Sequence, residues 1–263
     1  MSKKVVFFQV PESSEVFCVA KELLGSLGDE YVLTTEYEPD KCKDAGAIFF
    51  INDKSAFVAE KFRFHTQINV GVKTIVFDAG ETKHERGIKR GPSGREAFDT
   101  FRYPELEIEK TARVAFEWAE KRGKSIISVD SADMTEVGKL WRTAVQDVAQ
   151  DYLAVSVRCE LFSEFFLKII NKSYNDDIIL TNRLSGGIIS RALRTGDENV
   201  VACLVNDTPF AAFGVDLRAS KQTIADLVAL MLEESFDRPD QAEKVRKMQY
   251  SATVSGCGKN LTE

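Results

Sequence analysis

The side chains best suited to chemistry are few and far apart. Five cysteines (Cys18, Cys42, Cys159, Cys203 and Cys257) lack the close CxxC pairing of a zinc or redox site, so they read as free thiols in a reducing compartment. His65 and His84 have no cysteine or carboxylate partner at a recognisable spacing, and read as surface residues rather than metal ligands or general bases. The segment 87–94, followed by Arg95, has the glycines and arginines of a phosphate cradle. It lacks both the P-loop lysine pattern and the dinucleotide spacing of glycines, so a solvated turn is expected. Arg191 and Arg194 share one helical turn and suit a weak carboxylate or phosphate site, although solvent-facing arginines account for the pair more cheaply. Glu164, Asp176 and Asp177 read as surface acids.

Composition bounds what such residues can serve. A chain of 263 residues, 44% hydrophobic, buries a sizeable core, either as one large domain or as two lobes sharing a sheet. A net charge of -6 and a pI near 5.3 oppose sequence-independent attraction to nucleic acid or an anionic membrane, and neither partner is expected. Lys3 and Lys4 precede an apolar run that Gln9, Pro11, Glu12 and Glu15 interrupt before a signal-peptide core can form. No later run approaches bilayer length, so a soluble, cytoplasmic protein is expected.

The elements that must position any site follow from hydrophobic period. Residues 5–10, 47–51 and 73–77 are short apolar runs that read as buried strands, and Val16, Val19, Ala20, Leu23, Leu24 and Leu27 mark a helix between Ser13 or Ser14 and Gly28. Residues 53–71 give no firm assignment. From Pro104 the alternation is regular: helix 105–122, strand 125–129, then helix 133–151 with Met134, Val137, Trp141, Val145 and Val148 as its apolar stripe. Strands near 154–158, 177–181 and 200–205 and helices near 164–171, 186–195, 221–235 and 241–249 complete the pattern. Residues 251–263 read as a loose polar tail.

Within this frame, Glu96-Ala97-Phe98-Asp99-Thr100, Tyr103, Glu105, Arg113-Val114-Ala115-Phe116, Ala119, Lys121-Arg122-Gly123-Lys124, Ser128-Val129-Asp130, Glu136-Val137 and Leu140-Trp141-Arg142 stand in a distinctive order. In that order and spacing the central third resembles the isopropylmalate dehydrogenase branch of the β-decarboxylating dehydrogenases. Weaker similarity covers residues 4–16, 59–73 and 181–191. The resemblance implies an α/β fold with a central mixed sheet flanked by helices, trimmed relative to the family. Residues 1–250 would form that unit, with 96–170 as its lobe and dimer region.

The family's chemistry, as the resemblance implies it, oxidises an alcohol by hydride transfer to a nicotinamide and then decarboxylates on a divalent metal. The catalytic lysine position is Ser131, and the three metal aspartate positions are Ser163, Gly187 and Arg191. Serine cannot replace an amine in proton transfer, and glycine with a guanidinium removes two carboxylates while adding positive charge. Of the paired substrate arginines, one position holds Val70 and an earlier one Glu60, and the motif carrying a third arginine and a tyrosine has no counterpart between Asp78 and Gly91. The cofactor loop is replaced around Asp207, Pro209, Phe210 and Gly214, and the amino-terminal Gly-rich turn by Gln9, Val10, Pro11, Glu12 and Ser13.

Losses concentrated in the cleft, beside a kept packing pattern, imply a noncatalytic paralogue. Such a protein would be structural or regulatory, a homodimer or a hetero-oligomer with a related dehydrogenase subunit, with no cofactor expected. Two alternatives stay open: an NAD- and Mg-dependent oxidoreductase acting on a 2-hydroxy acid such as 3-isopropylmalate, and an anion-binding module whose altered cleft uses Ser131, Ser163, Glu164 and Arg191.

Overall fold

The computed structural model describes residues 3–28, 30–71, 73–78, 85–175, 177–193, 201–206 and 210–248. The expected tail at 251–263 lies outside them, as do His84, Asp176, Arg194, Asp207 and Pro209.

Apolar runs alternate with amphipathic segments along the chain. The first half comprises β1 (Lys3–Phe8), α1 (Glu15–Ser26), β2 (Tyr31–Glu36), β3 (Ala47–Ile51), α2 (Ser55–Phe62), β4 (Thr66–Val70), β5 (Ile75–Asp78), β6 (Arg86–Gly91), β7 (Gly94–Asp99) and α3 (Glu105–Arg122). Then follow β8 (Ile126–Asp130), α4 (Glu136–Ala149), β9 (Val157–Leu161), α5 (Phe162–Ile170), β10 (Ile178–Thr181), α6 (Arg183–Ala192), β11 (Val201–Val205), β12 (Ala211–Val215), α7 (Lys221–Glu234) and α8 (Pro239–Lys247).

Ten strands make one mixed sheet in the order β2-β1-β3-β12-β11-β4-β5-β10-β8-β9, flanked by helices as the α/β pattern predicts. Strands β2, β1, β3 and β12 form one parallel block, and β5, β10, β8 and β9 form another. Antiparallel β11 and β4 join the blocks, so the two run in opposite directions and their carboxyl ends lie on opposite edges of the sheet. One face packs against α1, α3, α4, α7 and α8 through residues such as Phe7, Phe49, Phe116, Trp141 and Phe213. The other face carries α2 over the first block and α5 with α6 over the second.

Caps set several boundaries differently from the hydrophobic period. Helix α4 starts at Glu136 because the Thr135 side chain accepts from the Gly138 N–H at 2.9 Å, which leaves Met134 outside the helix and 71% exposed rather than in its apolar stripe. Helix α6 starts at Arg183, before the expected 186, because Asn182 caps it through the Ser185 N–H. The strand expected near 154–158 is displaced to β9, and residues 53–71, left unassigned, supply α2 and β4.

The expected turn at 87–94 is instead most of a β-hairpin, β6 paired with β7 and exposed on both faces. Gly94 takes φ +109 at its turn, and Phe98 lies across Gly87, 3.3 Å from where a Cβ would stand. Asp177 is a further correction. It is buried and paired with Arg158 and Ser125 rather than a surface acid, because it lies one residue before β10, where Ser125 before the adjacent β8 and Arg158 from β9 beyond it reach its carboxylate.

Candidate functional site

In the second block the chain passes from β8 through α4 to β9, and then from β9 through α5 to β10, on the other side of β8. Helix α4 covers one face of the sheet and α5 the other. The strand order therefore reverses between β8 and β10. In open α/β sheets the crevice outside the carboxyl ends of the strands at such a reversal is the expected ligand site.

Two features fix the mouth of that crevice. Asp130, at the end of β8, is fully buried and accepts from Arg142 at both oxygens (Nε to Oδ2 2.9 Å, Nη2 to Oδ1 2.8 Å) and from the Ala132 N–H at 3.0 Å. A two-point guanidinium contact satisfies a buried carboxylate in geometry as well as charge, and this hydrogen bonding raises the pKa of Arg142 against the effect of burial. At Gly138 a Cβ would stand 2.4–2.6 Å from the backbone of Ser131 and Ala132, so only glycine lets α4 lie directly on the loop. Across the reversal, the Thr181 hydroxyl donates to the Val129 carbonyl at 2.7 Å and ties β10 to β8.

The positions singled out by sequence fall around this frame. Ser131, half-buried, follows β8 directly. Ser163 and Glu164, both exposed, occupy the first turn of α5 where it leaves β9. Gly187 and Arg191 are exposed one turn apart on α6, which packs beside α5 through Phe165, Ile169, Ile189 and Leu193. Apart from its chain neighbours and the backbone of its own helix, no atom of the described residues lies within 4 Å of a Cβ built at Gly187, so packing leaves room there for a larger side chain.

The cofactor-loop positions do not join this group. Phe210 stacks on Phe64 with ring centroids 5.5 Å apart, beside α2, and packs against the core of the first block. Gly214 is buried within β12, where a Cβ would stand 2.5 Å from the Phe50 ring, so its glycine is explained by sheet packing. Phe213 is fully buried on the opposite face, edge-on to Phe49. At the amino-terminal turn Gln9 takes φ +55, a conformation costly for a side-chain-bearing residue. These residues do not fit an adenosine site.

Nor do the residues of the second block fit a divalent cation. Among the described residues, no group of three or more His, Cys, Asp or Glu side chains could hold a metal ion. The hydroxyl of Ser163 and the guanidinium of Arg191 are a poor donor set for a hard cation, which needs several oxygen ligands and neutralising charge.

One group at this edge was not singled out by sequence. Asp78 ends β5, is 8% exposed, and accepts from the Arg183 N–H at 2.6 Å through Oδ1. Its Oδ2 has no hydrogen-bond partner among the described residues. Burial pushes its pKa up to about 6, against the opposing pull of Arg183. The only sequence signal is an acid closing the run Ile75-Val76-Phe77, a pattern shared with Asp130. No described helix is long and apolar enough to cross a membrane.

Comparison with known proteins agrees with this architecture. A sequence model described as isocitrate/isopropylmalate dehydrogenase matches residues 69–196. The 3-isopropylmalate dehydrogenase of Cupriavidus metallidurans is 30% identical over 189 residues, and that of Ralstonia nicotianae 36% identical over 189 residues; each match covers 65% of this chain and 53% of the relative. The chain thus spans about half the length of the curated relatives it matches. Among solved structures, isocitrate dehydrogenase from Methylococcus capsulatus superposes with a TM-score of 0.78 at 12% identity, covering 92% of this chain and 88% of that one, which bears on fold alone. Matching residues 69–196 span β5 through α6, the strands and helices that frame the crevice, and this part of the chain is similar to the isocitrate/isopropylmalate dehydrogenase family.

Proposed function

We propose that the chain is a noncatalytic member of this family that works by association rather than turnover. The observation that carries this reading is the donor set around the crevice: serine at 131 and 163, open space at Gly187 and a guanidinium at Arg191, where the family resemblance calls for one amine and three carboxylates. Crowding does not account for the glycine, because the space a carboxylate would fill is open. A reaction that polarises a carbonyl on a divalent cation has no electrophile without oxygen ligands to hold the ion. In this reading the protein acts in the cytoplasm.

The partner we propose is a second copy of the chain. Leu167 and Ile170 on α5 and Leu184 and Ile188 on α6 are 59%, 62%, 60% and 42% exposed, and together they give two packed helices an apolar outer face. The β6–β7 hairpin, with Ile88 72% exposed, is a two-stranded ribbon of a kind only marginally stable by itself. A symmetric contact covers both features at once. A related dehydrogenase subunit is the other occupant to test.

Titration calorimetry with NAD and with magnesium, together with absorbance assays of NADH formation on 3-isopropylmalate, isocitrate and tartrate, tests the noncatalytic reading. No turnover and no NAD heat are expected; robust turnover overturns it and restores the NAD- and Mg-dependent oxidoreductase. Sedimentation of the full chain tests the partner. A dimer that Ile170→Glu dissociates is expected, whereas a monomer at all concentrations removes self-association.

A further inference from the structure

Helix α6 is fastened to the end of β5 at two adjacent points. Gly186 lies on Phe77, where a Cβ would stand 2.8 Å from the ring, and the Asp78 carboxyl takes the Arg183 N–H at 2.6 Å. The first contact is apolar and has no group that titrates. The second is ionisable, and its other oxygen is buried without a hydrogen-bond partner among the described residues. Four and eight residues beyond Arg183 the same helix carries Gly187 and Arg191, two of the positions around the crevice.

We infer that Asp78 is a proton-operated clasp: neutral, it holds the first turn of α6 against the sheet, and ionised, it loosens that turn and with it the Gly187 and Arg191 side of the crevice. The inference stands whether or not the chain turns over a substrate.

A neutral carboxyl tolerates burial with one hydrogen bond made, whereas an ionised one carries an unsatisfied charged oxygen away from water. Opening the turn returns that oxygen to solvent, so loss of the proton favours the open form. Burial is the main cause of the raised affinity for the proton; Arg183 and the backbone N–H groups of Arg183 and Asp78 itself oppose it, and Glu107 on α3 adds to it. The positive end of the α6 dipole also favours the anion, yet the net direction is upward, so desolvation outweighs these attractions. Two other groups sit near this edge. His65 bonds the Thr66 hydroxyl at 2.8 Å, in the residue paired across from Asp78, and Lys110 lies one turn beyond Glu107 on α3. Strand β10 contributes no charged side chain.

The test uses ¹⁵N-labelled full-length chain, following the backbone amides of Arg183, Gly186 and Gly187 across the pH range. A single-proton transition with its midpoint near 6 is expected at Arg183. After correction for intrinsic exchange, the opening of this turn should rise about tenfold or more between about pH 5 and about pH 7. Asp78→Asn keeps a carbonyl oxygen for the Arg183 N–H and cannot ionise, so its profile should be flat, while His65→Gln should keep the wild-type profile. A pH dependence that survives in Asp78→Asn, or is lost in His65→Gln, overturns the inference. Should the asparagine variant not fold, the ¹³C resonance of the Asp78 carboxyl in the wild type decides: a midpoint below about 4.5, the ordinary carboxylate range, rules the clasp out.

Discussion

Asp130 and Asp78 occupy equivalent places, each the last residue of a strand in the same parallel block, on the same edge and out of water. Asp130 accepts three hydrogen bonds, two from a guanidinium; Asp78 accepts one and leaves an oxygen without a partner among the described residues. Burial alone therefore does not set the role of a strand-end acid. Satisfied, it is a fastener that holds the Ser131 loop; half-satisfied, it answers to pH.

The contrast is most exposed to failure at Arg142. Arg142→Ala should cost about 3 kcal/mol at neutral pH, read by urea unfolding, because it leaves the fully buried Asp130 without its cation. A loss under about 1 kcal/mol would mean that Asp130 is no better satisfied than Asp78. Asp78→Asn should act in the opposite direction. The native carboxyl, with its raised pKa, contributes stability that is complete below the unfolded pKa of about 4 and is lost as pH rises through about 6. The uncharged variant should therefore exceed the wild type by about 2 kcal/mol at about pH 8, and the gap should close by about pH 4. An unchanged gap across that range would sink the assignment. The smallest effect is expected at Gly187→Asp, within about 0.5 kcal/mol by thermal unfolding, since the site is exposed and open. A large loss there would show that the crevice has been filled, and would weaken the noncatalytic reading.

What the sequence reveals of this molecule depends on how each segment is surrounded. Strands covered on both faces, such as β1, β3 and β8, are continuous apolar runs and read directly. Strand β2 is an edge strand with a polar half, Thr34-Thr35-Glu36, and carries no such run. The hairpin strands are exposed on both faces, so no period of two marks them, and their glycines look like a turn. Strand β12, Ala211-Ala212-Phe213-Gly214-Val215, reads as a ligand loop until Phe50 is seen to occupy the space at Gly214. At the crevice, Ser131, Ser163, Gly187 and Arg191 are singled out only by the family resemblance, whereas the bond from Asp78 to Arg183 spans 105 residues and has no local signature.

Strand β3 is paired on one side by β1, close in sequence, and on the other by β12, which begins at Ala211. At a synthesis rate of about 5–20 residues per second, the apolar edge Ala47-Ile48-Phe49-Phe50-Ile51 emerges from the ribosome some 10–30 s, on the order of magnitude, before its second neighbour exists. During that interval it is a bare hydrophobic strand margin of the kind that recruits foreign chains. Yield in the cell should thus depend on chaperone supply and growth temperature more steeply than the stability of the finished molecule would suggest.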